Sequence, residues 1–245
     1  TQTAHVLALQ FRLLPPEALP GIASRLAEMI AKNGYRMATG FLGTKPLLPA
    51  LSDSGHNDLA VRLFQSRRFP SWGYEVEQGA TTVWERWDSY TKEHGFNGAG
   101  GNQNASMNSF SHYSFGAVMQ WVFQTLAGID TDGPGFKHIV IHPQPPNPGS
   151  NPDQNPIAWV QAHYDSVRGR IATQWRRTGT RFELQVEIPP NTTATVHLPA
   201  ASVESVLDRG RPAMKAKGVT GLRRERDSVA FEVQSGRYEF TCNVD

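Results

Sequence analysis

The sequence predicts an α+β chain in two parts, helical through residues 1–135 and an antiparallel β-sandwich over residues 136–245. In the first part apolar residues recur at helical spacing, whereas in the second they alternate at every other position. Just after the change lies "HPQPPNPGSNPDQNP". Its repeated prolines exclude regular ladders, so residues 143–156 read as a linker or long loop. At 245 residues the chain is long enough for one large domain or two modest ones.

The helical elements follow in order. "GIASRLAEMIAKNG" puts Ile22, Leu26, Met29 and Ile30 on one stripe, with Pro20 ahead of it and Gly34 at the C-cap position. "NDLAVRLFQSR" repeats the pattern with Leu59, Ala60, Leu63 and Phe64. The longest helix is expected through "SMNSFSHYSFGAVMQWVFQTLAG". Its buried side is Phe110, Ala117, Val118, Trp121, Val122 and Leu126, and Gly128 ends it. "GFLGTKPLLPALSDSG" and "FPSWGYEVEQGATTVW" read as long loops that build a functional surface. In the second part, "RFELQVEIP" and "TATVHLP" read as strands and "IAWVQAHYDSVRGRIATQWRR" as two strands around a turn. "SVAFEVQSGRYEF" reads as a closing hairpin that turns at Ser-Gly.

Several function classes fall away on composition. Lys and Arg number 24 against 22 Asp and Glu, and no basic stripe emerges, so nucleic acid is not an expected partner. Cys242 is alone, which excludes an internal disulfide framework and disfavours structural zinc. No apolar run approaches a membrane span, so no membrane partner is expected. The eight histidines form no ligand pair on one helix face, and His138 and His142 read as the exposed side of a strand. There is no G-x-S-x-G, and "FNGAGGNQNAS" lacks the strand and helix that frame a phosphate loop. It reads as a loop feeding the next helix, and no cofactor is expected. Nothing at the start reads as a signal peptide, and the compartment is not fixed. "TQTAHVLALQF" already resembles the middle of a packed element, so the chain is expected to be a piece of something longer.

The chemistry concentrates in "PSWGYEVEQGATTVWERWDSY". Trp72, Tyr74, Trp84, Trp87 and Tyr90 stand there among Glu75, Glu77, Glu85 and Asp88. Aromatic rings beside carboxylates suit sugars, because C–H faces stack on rings while acids bind hydroxyls or move protons. Two readings stand at this point. Glu85 is either a carboxylate held in an aromatic pocket for chemistry, or part of a core turn in which Glu85 or Asp88 pairs with Arg86. A second candidate is His112. If its helix begins near Asn104, then Asn104, Asn108 and His112 make a polar row, either the rim of a site or a surface helix end.

"TTVWERWDS", "GFLGT…LLPALSDSG" and "MNSFSHYSFGAVMQWV" resemble the C-terminal portion of the bacterial α-L-rhamnosidases of glycoside hydrolase family 78. "VEIPPNTTATVHLPA" through "FEVQSGRYEF" resembles that family's C-terminal β-sandwich, so the similarity spans essentially the whole chain. The resemblance implies a partial (α/α)6 toroid, the second half of a six-hairpin barrel, followed by the sandwich. It implies inverting hydrolysis of terminal α-L-rhamnosides, with Glu85 as the general base and His112 as a substrate contact. Trp84, Trp87, Trp72 and Asn108 complete the expected substrate-binding set, and rhamnose-containing glycosides or oligosaccharides are the expected ligands. The family's general acid lies upstream of this motif. The chain alone is therefore expected to be inactive, with its open helical face covered by a missing N-terminal half or by another copy. A non-catalytic carbohydrate-binding or structural fragment, and an (α/α)6 glycosidase of other sugar specificity, are the alternatives.

Overall fold

A computed structural model describes residues 1–96 and 108–244. The chain divides into two compact units, Thr1–Met119 with Pro146–Pro156, and Gln120–Pro145 with Ile157–Asp245.

The first unit is built on α1 (Gln2–Gln10), α2 (Leu19–Lys32), α3 (Phe41–Asp53), α4 (Asn57–Phe64) and α5 (Trp72–Glu77). The stripe predicted for α2 is present: Leu26 and Ile30 are fully buried, and Gly34 takes the positive φ of a helix terminus. The segment expected as a loop at 40–55 is instead α3, which packs against α1, α2 and α4. Pro46 and Pro49 inside it suggested a loop, since each removes a helical donor. Burying Leu47, Leu48 and Leu51 contributes about 1.5–3 kcal/mol each, of the same order as the cost of two prolines at about 3 kcal/mol each. Gly43 lets α1 come close, because a Cβ there would stand 2.8 Å from Thr3 Oγ1.

The second expected loop also contains a helix, α5. Its N-cap Ser71 accepts from Tyr74 N at 3.0 Å, and Trp72 and Glu75, three positions apart, are both buried. β1 (Tyr90–Thr91) and β2 (Gly95–Phe96) form a small antiparallel pair. The long helix expected from Ser106 starts only at Tyr113, as α6 (Tyr113–Gly116), α7 (Val118–Trp121) and a π turn over Val122–Leu126. Residues 97–107, including Asn104 and most of the glycine cluster, lie outside the described residues. Asn108 and His112 are not helical, so no helical row joins them. Backbone bonds hold 109–112 against 83–85 instead: Ser109 O accepts from Glu85 N at 2.9 Å, and His112 N donates to Val83 O at 2.8 Å. The proline-rich stretch does not hang free, because Asn147 donates from N and Nδ2 to both carboxylate oxygens of Asp58. Asp153 pairs with Arg62 at 2.9 Å.

The second unit carries β3 (Ile129–Asp132), β4 (His138–Ile141), β5 (Trp159–Ser166), β6 (Gly169–Thr178) and β7 (Arg181–Leu198). It continues with β8 (Leu207–Asp208), β9 (Arg211–Pro212), β10 (Val219–Arg224) and β11 (Val229–Asn243). The strand pairs are antiparallel except β4 with β7, so the sheet is mixed where an antiparallel one was expected. The two strands expected over 181–198 are one, β7, and the expected closing hairpin is one strand, β11. They pair along their length, from Arg181–Asn243 to Val229–Leu198, with a break in register between Gln234 and Gly236. There the ribbon folds over. Phe231 and Phe240 would stand about 30 Å apart along a straight strand, yet their ring centroids are 4.8 Å apart. Both arms point their alternate residues into one core, Phe182, Leu184 and Val186 from one and Ala194, Val196 and Leu198 from the other. Gly128 fits a close crossing, since a Cβ on it would lie 2.2 Å from Pro143 N.

The exposed histidine face is also corrected. His138 has both ring nitrogens within 2.8 Å of the Thr193 and Thr195 hydroxyls. His142 packs on His197 with centroids 4.7 Å apart, and burial lowers its pKa to about 4. Among the described residues no helix is long and apolar enough to cross a membrane.

Candidate functional site

The site lies in the first unit, where the "VWERW" segment runs beside residues 109–112. Thr82 Oγ1 donates to Phe110 O, and Ser109 N donates to Glu85 Oε2 at 2.7 Å. Glu85 thus bonds Ser109 through both backbone and side chain, which fixes where its carboxylate stands. The residue is half-buried, and among the described residues it makes no ion pair within 4.0 Å. The alternative in which Glu85 pairs with Arg86 therefore loses its support. The turn after it is fastened by the buried Ser89, whose hydroxyl reaches Arg86 O and Asn108 Oδ1, each at 2.9 Å. Asn108 accordingly holds this turn in place.

His112 caps α6. Its Nδ1 accepts from Ser114 N at 3.2 Å, so in this bond the ring proton sits on Nε2 as a donor. The imidazole stacks on Phe41 at 4.9 Å and on Tyr113 at 5.3 Å. Both rings are accessible, Phe41 at 43% and Tyr113 at 84%. The backbone bond to Val83 places His112 two residues from Glu85 in register.

The three tryptophans expected to line a sugar pocket are buried, Trp72 at 9%, Trp84 at 5% and Trp87 at 8% exposure. Trp87 lies flat on Phe115 at 3.9 Å and meets Trp72 edge-on at 5.3 Å. Trp72 Nε1 donates to Phe115 O at 3.0 Å. Trp84 packs edge-on against Phe110 and Tyr90. Their faces are taken up by one another and by neighbouring rings, so they form an aromatic base that supports the Glu85 segment.

The sequence places Glu75 in the aromatic–carboxylate cluster without marking it out from its neighbours, and it gives no role to Phe41 or Tyr113. Glu75 is 2% exposed, with Oε2 accepting from Trp84 N at 3.3 Å and Oε1 left without a partner. Burial pushes its pKa up to about 7, against a smaller opposing effect of the Trp84 N–H. Reading "SWGYEVE" as a capped helix rather than a loop would have put Glu75 on the buried Trp72 side. Phe41 and Tyr113 carried no signal beyond being aromatic.

The helical unit thus brings a carboxylate and an imidazole together on an aromatic base, and a β unit follows it in sequence. Residues 1–126 match the bacterial alpha-L-rhamnosidase 6 hairpin glycosidase domain, and residues 128–211 match the bacterial alpha-L-rhamnosidase C-terminal domain. The chain belongs to the bacterial α-L-rhamnosidase family. An alpha-L-rhamnosidase of Streptomyces avermitilis is 39% identical over 241 residues, 98% of this chain and 21% of that protein. One from Formosa agariphila is 35% identical over 98% of this chain and 24% of its own length. The crystal structure of the Streptomyces avermitilis enzyme complexed with L-rhamnose superposes with a TM-score of 0.84 at 38% identity, covering 98% of this chain and 21% of that one. The structure of the alpha-L-rhamnosidase from Dictyoglumus thermophilum gives 0.81 at 27% identity, covering 99% of this chain and 25% of that one. The chain therefore spans about a fifth to a quarter of the length of these relatives.

Proposed function

We propose that this chain supplies the general-base side of an inverting α-L-rhamnosidase site, with Glu85 as the base. The observation that supports this best is the state of Glu85: half-buried, without an ion pair among the described residues, and held by the Ser109 N–H. A carboxylate so placed removes a proton from water as the water oxygen bonds to the anomeric carbon. The glycosidic C–O bond breaks on the opposite face, and its oxygen takes a proton from a carboxylic acid roughly 6.5–9.5 Å from the base. That acid is proposed to come from a part of the enzyme that corresponds to the remaining length of the relatives. His112 Nε2–H would donate to a sugar hydroxyl, with the accessible rings of Phe41 and Tyr113 beside it. The apolar residues exposed on the first unit, among them Phe11, Leu13 and Leu42, would be covered by the rest of the barrel.

The test is hydrolysis of an aryl α-L-rhamnoside by the full-length protein, with the first-formed product anomer read by NMR. Inversion gives β-L-rhamnose. Glu85→Gln is expected to lower kcat by about 10²–10⁴-fold with little change in KM. Azide added to Glu85→Ala is expected to restore turnover with a β-rhamnosyl azide as product. A Glu85→Gln enzyme close to wild type would remove the assignment. The 245-residue chain alone, a base without its acid, is expected to turn over little.

A further inference from the structure

The second unit carries a sheet face built for a sugar chain. We propose that the outward face of β5, β6, β7 and β11 is a non-catalytic binding site for a neutral oligosaccharide. This deepens the glycosidase reading, on which it rests for its choice of probe. Strand register puts Gln161, Gln174, Gln185 and Glu239 in one row across the four strands. The next row along is His163, Ala172, Glu187 and Arg237. At the other side of the glutamine row, two positions back along β5, stands Trp159, 56% exposed on the same face.

The first two rows line a groove of about 550 Å³, within the range of ligand sites. The small Ala172 side chain leaves its floor low between larger neighbours. Four strands span about 14 Å, long enough for several linked sugar rings.

The chemistry selects the ligand. A glutamine amide both donates and accepts, as a sugar hydroxyl does, so a row of three matches successive hydroxyls. Trp159 supplies an accessible ring for an axial C–H face. Charges in the groove cancel: Arg170 and Arg237 stand against Glu187 and Glu239, and Arg237 bonds Glu187 at 3.1 Å. A neutral polyol fits such a surface, whereas a polyanion meets no net positive field. The large apolar residues of the groove, Val186 and Tyr238, are buried, so it offers little apolar surface to a protein partner.

The experiment uses the 245-residue chain with three probes: a rhamnose tetrasaccharide, xylotetraose and polygalacturonate. Binding is measured by calorimetry and mapped by hydrogen–deuterium exchange. The rhamnose tetrasaccharide should bind and protect β5–β7, and Trp159→Ala and Gln174→Ala should each weaken it about tenfold while circular dichroism is unchanged. Xylotetraose binding at the same face would support a neutral-glycan site of broader sugar choice. Binding of polygalacturonate alone, no binding, or indifference to both substitutions would overturn the proposal. Protection confined to residues 82–87 and 109–115 would also overturn it, while leaving the Glu85 assignment standing. Self-association abolished by Trp159→Ala would make the face a protein contact and refute it too.

Discussion

Glu75 makes the first unit sensitive to pH in a direction that can be worked out. Its carboxyl titrates at 4.5 when unfolded and at about 7 in the fold, because burial penalises the charge. Below pH 4.5 it is protonated in both states and costs nothing. As pH rises from 4.5 to about 7 the unfolded chain releases the proton first, so stability falls through this window and levels off above it. The gap, at about 1.4 kcal/mol per pH unit, makes this loss roughly 3 kcal/mol. Glu75→Gln keeps the shape of the neutral acid and an acceptor for Trp84 N, yet cannot ionise. Urea unfolding followed by tryptophan fluorescence at pH 5 and pH 8 reads the effect, since Trp72, Trp84 and Trp87 surround this region. Other titrating groups are common to both proteins, so the difference between them isolates Glu75. Because part of the loss has already occurred at pH 5, the variant should gain on wild type by roughly 2.5 kcal/mol between the two pH values. A difference that stays constant across the range, or shrinks as pH rises, would refute the reasoning.

His142 predicts the opposite slope in the second unit. Its pKa drops from 6.5 to about 4, so the unfolded state takes up the proton first and stability falls as pH drops from 6.5 to 4. His142→Phe should flatten that acid limb by about 3 kcal/mol in denaturant titrations, and an unchanged limb would count against a neutral, buried imidazole. Trp87→Ala removes the ring stacked on Phe115 and should destabilise the first unit by about 3–5 kcal/mol. A loss under about 1 kcal/mol would show that the aromatic base is not a packed support.

The elements legible in the sequence were those whose period matches their burial. Leu26 and Ile30 mark α2, and the alternation from Phe182 to Leu198 marks β7, because one face of each is buried. Helices α3 and α5 were hidden by Pro46, Pro49 and Gly73, whose local preferences are outweighed by tertiary packing. By its alternation alone the folded β7–β11 ribbon reads as separate strands. The same Pro, Asn, Ser and Gly that permit a turn also permit a bent continuous strand, and only pairing to a distant partner decides between them. At the site, Glu85 and His112 stood out by residue type and by the resemblance. What the tryptophans do depends on which ring lies against which, and spacing along the chain does not encode that. Glu75 escaped for a related reason, since a carboxylate in sequence looks solvated until its helix is known.

The folded-over ribbon has a consequence for how the second unit opens. Because β7 and β11 each contribute to both layers, neither layer is a separable piece of chain. Prising the layers apart would strip Phe182 and Val196, on one strand, of a shared interior at the same moment. The pairing of Arg181 with Asn243 also forces the intervening segments to be threaded before the interior can close. Fluctuations that expose one layer alone are thereby suppressed, and the unit should give way all at once or only at its short peripheral strands.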